Sequence, residues 1–155
     1  MKYHLKFRNI NERTLNATRE LLQGWGEADD TLRWIKMDKW VGKASAIYGM
    51  RRPLVGVTRT AGAGYYRRDT NEIHMAYPSI VTVMHEFRHA MQAQGKAPVA
   101  ITENLNAIED DARAWSLSIY YKIAPRLFRR LVREGKILHI TPDDLLARRQ
   151  ETINA

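Results

Sequence analysis

A chain of 155 residues with 45 % hydrophobic and 27 % charged side chains reads as one soluble domain burying about 70 % of its surface, which excludes disorder and leaves no need for a cofactor merely to fold. Zero cysteines exclude disulfides and every thiolate zinc site, so any transition metal must be held by histidines and carboxylates. The formal charge of +8 and the pairs Arg51-Arg52, Arg67-Arg68, Arg129-Arg130 and Arg148-Arg149 suit an acidic partner such as nucleic acid. They fall in no recognisable nucleic-acid motif, and a merely soluble basic surface accounts for them as well.

The opening "MKYHLKFRNINERT" lacks the apolar stretch of a secretion signal, and no apolar run approaches the ~20 residues of a membrane span. The expectation is a non-membrane, cytoplasmic protein. Residues 2–8 alternate weakly and predict an edge strand. "NERTLNATRELLQGWG" places Leu15, Leu21, Leu22 and Trp25 at helical spacing, with Gly24 or Gly26 as the stop. From Leu32 to Tyr66 the segments "TLRWIKM", "PLVGVTRT" and "GAGYYRR" are β-branched and aromatic, broken by Gly and Pro. They predict strands, with a short helical piece at "KASAIYG". "YYRRDTNEIHMAY" reads as a hairpin turning at Asp69-Thr70-Asn71.

After Pro78 the period becomes helical, with Ser79 as N-cap and Gly95 as the stop. A longer helix is predicted near 103–123, a break at Pro125, a basic helix in "RLFRRLVREG", and a last helix in "TPDDLLARRQETI" opened by Thr141 and Pro142. The expected fold class is α+β over a single domain, 1–155: a small, mostly antiparallel sheet, then packed helices, with a chemical core at about 60–123 and a basic helical part at 124–155.

The motif within this pattern is "SIVTVMHEFRHAMQAQG", residues 79–95. Residues four apart on a helix are separated by ~6 Å of rise and ~40° of rotation, so His85 and His89 present two imidazoles to one point. Glu86 is turned ~100° away, too far round to be a third ligand but able to reach a water beside the metal, as a base. With Met84 as origin, Ile80, Phe87 and Met91 lie within ~60° of it and the histidines at ~100° and ~140°, on a face of their own. Packing in a core therefore accounts poorly for them.

Catalytic zinc takes three protein ligands plus water. A third histidine six residues after the second is missing, because position 95 is Gly95. Glu109, on a helix whose apolar stripe is Ile108, Ala112, Trp115 and Ile119, sits ~100° from Ile108 at the margin where an antiparallel neighbour would meet it. It is the candidate third ligand, although Asn106 and Glu109 also have the spacing of a helix cap. Glu103, Asp110 and Asp111 are the fallback ligands.

"HEFRHAMQ" followed by "EDDARAW" resembles the gluzincin-type metallopeptidases, in particular the small bacterial and phage zincins of the ImmA/IrrE kind, whose third-ligand helix carries Glu-x-x-Ala-x-x-aromatic. Glu109, Ala112 and Trp115 match that pattern, and the hairpin ending in "EIHMA" resembles the sheet before their zinc helix. The likeness spans about residues 60–120. It departs at Arg113, where thermolysin-like members have an aspartate that supports a zinc histidine, so the supporting partner is unassigned.

The resemblance implies Zn2+ on His85, His89 and Glu109 and hydrolysis of a peptide bond by a zinc-bound water that Glu86 activates. By helix phase Tyr120 and Arg113 are candidates to share the oxyanion charge. A peptide substrate could add as a strand to the Tyr65–Arg68 arm, where Tyr66 or Tyr65 would line a cleft, while His74 reads as a surface or packing residue. The alternative is a basic nucleic-acid-associated protein with a structural or latent zinc site, or a protease of DNA-bound proteins. SprT-like zincins of that kind use a downstream histidine, and here only His139 lies downstream.

Overall fold

The computed structural model describes residues 7–59, 62 and 64–135. Two helices open the chain: α1 (Glu12–Leu22), capped by Asn11, whose side chain accepts from the Arg13 amide, and α2 (Asp30–Tyr48), capped by Asp29 accepting from the Leu32 amide. Three short strands follow, β1 (Leu54–Val57), β2 (Tyr65–Arg67) and β3 (Glu72–Met75), then α3 (Ile80–Ala93), α4 (Leu105–Ile123) and α5 (Pro125–Arg133). The fold is α+β.

The largest departure from the expected elements is α2. The β-branched and aromatic content of "TLRWIKM" predicts a strand, yet the segment forms the first turns of a 19-residue helix that continues through "KASAIY". The buried positions Met37, Trp40, Val41, Ala44 and Ser45 recur every three or four residues, a helical stripe that decides against β propensity once a core exists to receive it. Gly49 ends the helix in the left-handed region (φ 62°), a conformation that costs a residue with a Cβ more.

The sheet has the order β1-β3-β2. β2 and β3 form the expected antiparallel hairpin, Tyr65 opposite His74 and Arg67 opposite Glu72. β1 pairs with β3 in parallel, Leu54 opposite Glu72 and Val57 opposite Met75, so the sheet is mixed rather than mostly antiparallel. The chain leaves β1, forms β2 at the far side and returns through β3 between them, which makes the β1 pairing parallel. Of the expected edge strand, residues 2–6 lie outside the described residues; Phe7 and Arg8 are not in a strand, and the Arg8 amide donates to Ser118 Oγ (2.8 Å). The expected last helix and His139 also lie outside the described residues.

One hydrophobic cluster draws on α1 to α5 and β3, among them Leu15, Leu21, Met37, Trp40, Ile73, Met84, Phe87, Trp115 and Phe128. Phe87 stacks on Trp115 (6.1 Å between centroids) and meets Trp40 edge-on (5.2 Å), arrangements that add to simple area burial. The Trp40 indole donates to Thr18 Oγ1 (3.0 Å), so α1 and α2 are tied by a satisfied polar contact inside the core. No helix among the described residues is long and apolar enough to cross a membrane.

Candidate metal centre

Helix α3 is set by Ser79, which accepts from the Thr82 amide, and runs to Ala93 before Gly95 in the left-handed region. Its apolar face is buried against α4, and the partners Gln92 with Ile108, Arg88 with Asp111 and Phe87 with Trp115 make the two helices antiparallel. That pairing puts His85, His89 and Glu109 together. Nε2 of His85 donates to Glu109 Oε2 (3.0 Å), and Nε2 of His89 lies 3.1 Å from Oε1 of the same carboxylate. One ligand atom from each lies within 4.8 Å of the others, a group that could hold a metal ion.

Helix α4 begins earlier than a cap at Asn106 would require. Asn104 is the N-cap and accepts from the Ala107 amide (2.9 Å), so Glu109 is free of capping. Glu103 is exposed outside the helix, Asp110 faces solvent beside Arg113 (3.6 Å), and Asp111 is engaged elsewhere. None of these three fallback ligands joins the histidines.

The carboxylate of Glu109 is held well below the usual range by hydrogen bonds from His85 and His89, which outweigh its partial burial. Burial opposes charge on His89, but hydrogen bonds to Glu109 and Gln92 and the charges of Glu109 and Glu86 together raise its pKa. Glu86 is 6 % exposed. Burial raises its pKa most, the nearby histidines oppose that, and the negative charge of Glu109 reinforces it. It is a buried carboxyl beside the cluster and outside the three-residue group.

The group sits in a cleft of about 780 Å³, whose lining includes Tyr65, Tyr66 and Arg68 from the sheet side, Glu86 on α3, and Ile108, Glu109 and Arg113 on α4. Gly64 brings the start of β2 against α3: a Cβ there would lie 2.7 Å from Thr82 Cγ2 and 3.0 Å from the His74 carbonyl oxygen. Of the oxyanion or substrate candidates, Arg113 and Tyr66 line the cleft; the Tyr66 hydroxyl donates to Asn71 Oδ1 (2.7 Å). Tyr120 does not. It is buried against Phe128 (6.2 Å between centroids), because its place on α4 faces the α5 side of the core. His74 is bonded to Thr58 and Glu72 and stacks under Tyr65, a packing residue.

The residues missed in the sequence are the ones that support His89. Gln92 Nε2 meets two acceptors, the Ile108 carbonyl and Asp111 Oδ2 (both 3.0 Å), so its Oε1 must face His89 Nδ1 (2.8 Å) and accept from it. Neutral His89 is thereby held as the Nδ1–H tautomer, and Nε2, which carries a proton only in the imidazolium form, is the atom turned to Glu109. Asp111 is in turn gripped by Arg88 through two hydrogen bonds (2.8 and 3.1 Å), and Arg8 lies 3.5 Å from it. Arg88 also lies over the Trp115 ring (5.3 Å). A signal was present: on the wheel Arg88 falls ~40° from Met84, inside the apolar face, where an unpaired cation is unfavourable.

Gln92→Leu keeps the volume and removes the acceptor on Nδ1. It is expected to weaken metal binding about 10- to 100-fold, the usual effect of losing such a partner, as read by competition with a chromophoric chelator. An unchanged affinity would remove Gln92 from the site. The raised pKa of His89 sets the sign of the pH dependence. A metal must displace the Nε2 proton, so affinity is expected to fall as pH drops through the His89 titration and to rise above it. A titration series from acid to neutral pH showing flat affinity would contradict this assignment.

No protein-family model, no curated protein and no solved structure matches the chain, so its own residues and their geometry carry the functional reading.

Proposed function

We propose that the protein is a zinc-dependent metallopeptidase in which His85, His89 and Glu109 hold the ion and Glu86 moves the proton. The observation that carries the reading is the convergence of two imidazoles and a carboxylate within 4.8 Å, beside a buried glutamate in a cleft of peptide-binding size. The donor set fits the ion: two imidazoles and one carboxylate are a recurring catalytic zinc set, and three protein donors leave a position open. The resemblance of "HEFRHAMQ" and "EDDARAW" to the ImmA/IrrE-like zincins supports the same reading.

When bound, zinc supplies Lewis acidity, polarising a carbonyl oxygen and acidifying water beside it. Glu86 takes a proton from the attacking water and returns it to the leaving nitrogen, and its burial raises its basicity toward that task. Gln92 holds the His89 tautomer, and the Glu109 carboxylate stays ionised for binding. Among the described residues β2 is an edge of the sheet, and it contributes Tyr65 and Tyr66 to the cleft, so an extended peptide is bound by strand addition along it.

The test is metal content paired with cleavage. Wild type is expected to hold about one zinc per chain and to cut an unstructured peptide pool, while His85→Ala loses both. No metal uptake after zinc addition, or no cleavage by the zinc-loaded chain, would refute the reading. A second reading, nucleic-acid association, is favoured by α5. Arg126, Arg129, Arg130 and Arg133 follow i, i+3, i+4, i+7 spacing opposite the buried Phe128 and Val132. Binding of random duplex DNA that falls steeply with salt would support it, and no binding at low salt would remove it.

A further inference from the structure

We propose that the cleft selects peptides with an apolar side chain on one side of the cut bond and a carboxylate on the other, Arg113 being the residue that reads the acid. This rests on the peptidase reading and adds the chemistry of the substrate.

Apart from the two histidines, Glu86 and Glu109, the charged side chains of the cleft lining among the described residues are Arg68 and Arg113, and no further acid among those residues lines it. The two arginines come from different walls: Arg68 directly follows β2 and is exposed, and Arg113 lies on α4. Arg113 meets Asp110 at 3.6 Å, with the two side chains 34 % and 52 % exposed. Such a pair is weak, and the planar guanidinium keeps donors for a carboxylate in the cleft.

The lining along α4 is ordered. Leu105 and Arg113 each lie four residues from Glu109, in opposite directions, so ~6 Å of rise and ~40° of rotation separate each from it and all three share one side of the helix. Leu105 is 71 % exposed and stands in the lining with Ile101 and Ile108. An apolar wall thus precedes the metal-binding carboxylate and a cation follows it, ~12 Å apart end to end. At ~3.4 Å per residue an extended peptide covers that distance in about three to four residues, enough to place the cut bond between an apolar and an acidic side chain.

The measurement is product mapping, by mass spectrometry, of a mixed peptide library cut by the zinc-supplemented full chain. A second series compares kcat/KM for paired peptides that differ only in Glu or Lys at the distal position. Wild type is expected to enrich apolar residues on one side of the cut and Asp or Glu on the other. Arg113→Glu should lower the Glu-to-Lys preference about tenfold or more, as reversal of one partly hydrated charge implies, and Leu105→Ser should lower the apolar enrichment alone. Cleavage without either enrichment overturns the proposal, and so does an equal loss on both peptides in Arg113→Glu, which would assign Arg113 to the oxyanion instead.

If wild type cuts nothing, the peptidase reading fails separately. Fluorescence anisotropy of the paired peptides on zinc-loaded Glu86→Gln then decides the inference. A Glu-over-Lys preference in Kd that Arg113→Glu abolishes supports it, and equal affinities for the two peptides overturn it.

Discussion

Replacing Glu86 by glutamine is expected to lower kcat by about 10²- to 10⁴-fold, the usual contribution of a positioned general base, with zinc stoichiometry unchanged. The amide preserves the shape of a residue that is 6 % exposed and removes only the proton acceptor. Stability has a definite sign as well. Burial raises the Glu86 pKa in the fold, so its ionised form is disfavoured there, and the unfolded chain gains from ionisation as pH rises through the carboxylate range. Glu86→Gln removes that loss and is expected to be at least as stable as wild type near neutral pH. Turnover, bound zinc and the melting temperature, measured on one preparation, check all three. Wild-type turnover in the variant would show that Glu86 is not the base, and loss of zinc would make it a ligand.

Asp111→Ala is expected to be the most damaging single change to stability. Asp111 and Arg88 are 1 % and 5 % exposed and joined by two hydrogen bonds. Removing the acid leaves a buried guanidinium without its counter-charge, a loss of about 3–5 kcal/mol and roughly 10 °C in Tm for a chain of this size. Burial opposes ionisation of Asp111, but the hydrogen bonds from Arg88 and Gln92 and the Arg88 charge prevail and lower its pKa. The stability it contributes is therefore present above the unfolded carboxylate pKa and is lost as pH falls through the lower folded value. Urea unfolding with a chelator present isolates this effect from metal binding. The double variant Arg88→Met, Asp111→Leu is expected to recover most of the loss, because a well-packed apolar pair replaces a buried ion pair at little cost. A loss below about 1 kcal/mol for Asp111→Ala would place the pair among ordinary surface salt bridges.

What is legible in the sequence alone follows from local periodicity. The spacing of His85 and His89, the cap at Ser79, the stop at Gly95 and the turn of the hairpin are each set within a few residues, and helix and turn geometry act on that scale. The α+β class was legible for the same reason. Where composition and period disagreed, as in "TLRWIKM", the aromatic and β-branched content misled. The stripe from Met37 to Ser45 acquires its meaning only from the core that α1, α3 and α4 provide.

The packing of α3 against α4 decided the rest. Glu109 reaches the histidines because the antiparallel register sets it opposite them across 20 and 24 residues of chain; its neighbours Asp110 and Asp111, equally acidic in the sequence, are turned to solvent and to Arg88. The same packing encloses Arg88, Gln92 and Asp111 and forces them to satisfy one another, which assigns the support of His89 to Gln92, a partner the sequence alone leaves open. It also turns Tyr120 into the core and away from the cleft. A single helix carries its own period, but which polar groups lose water, and therefore must pair, is set only when a second helix covers them.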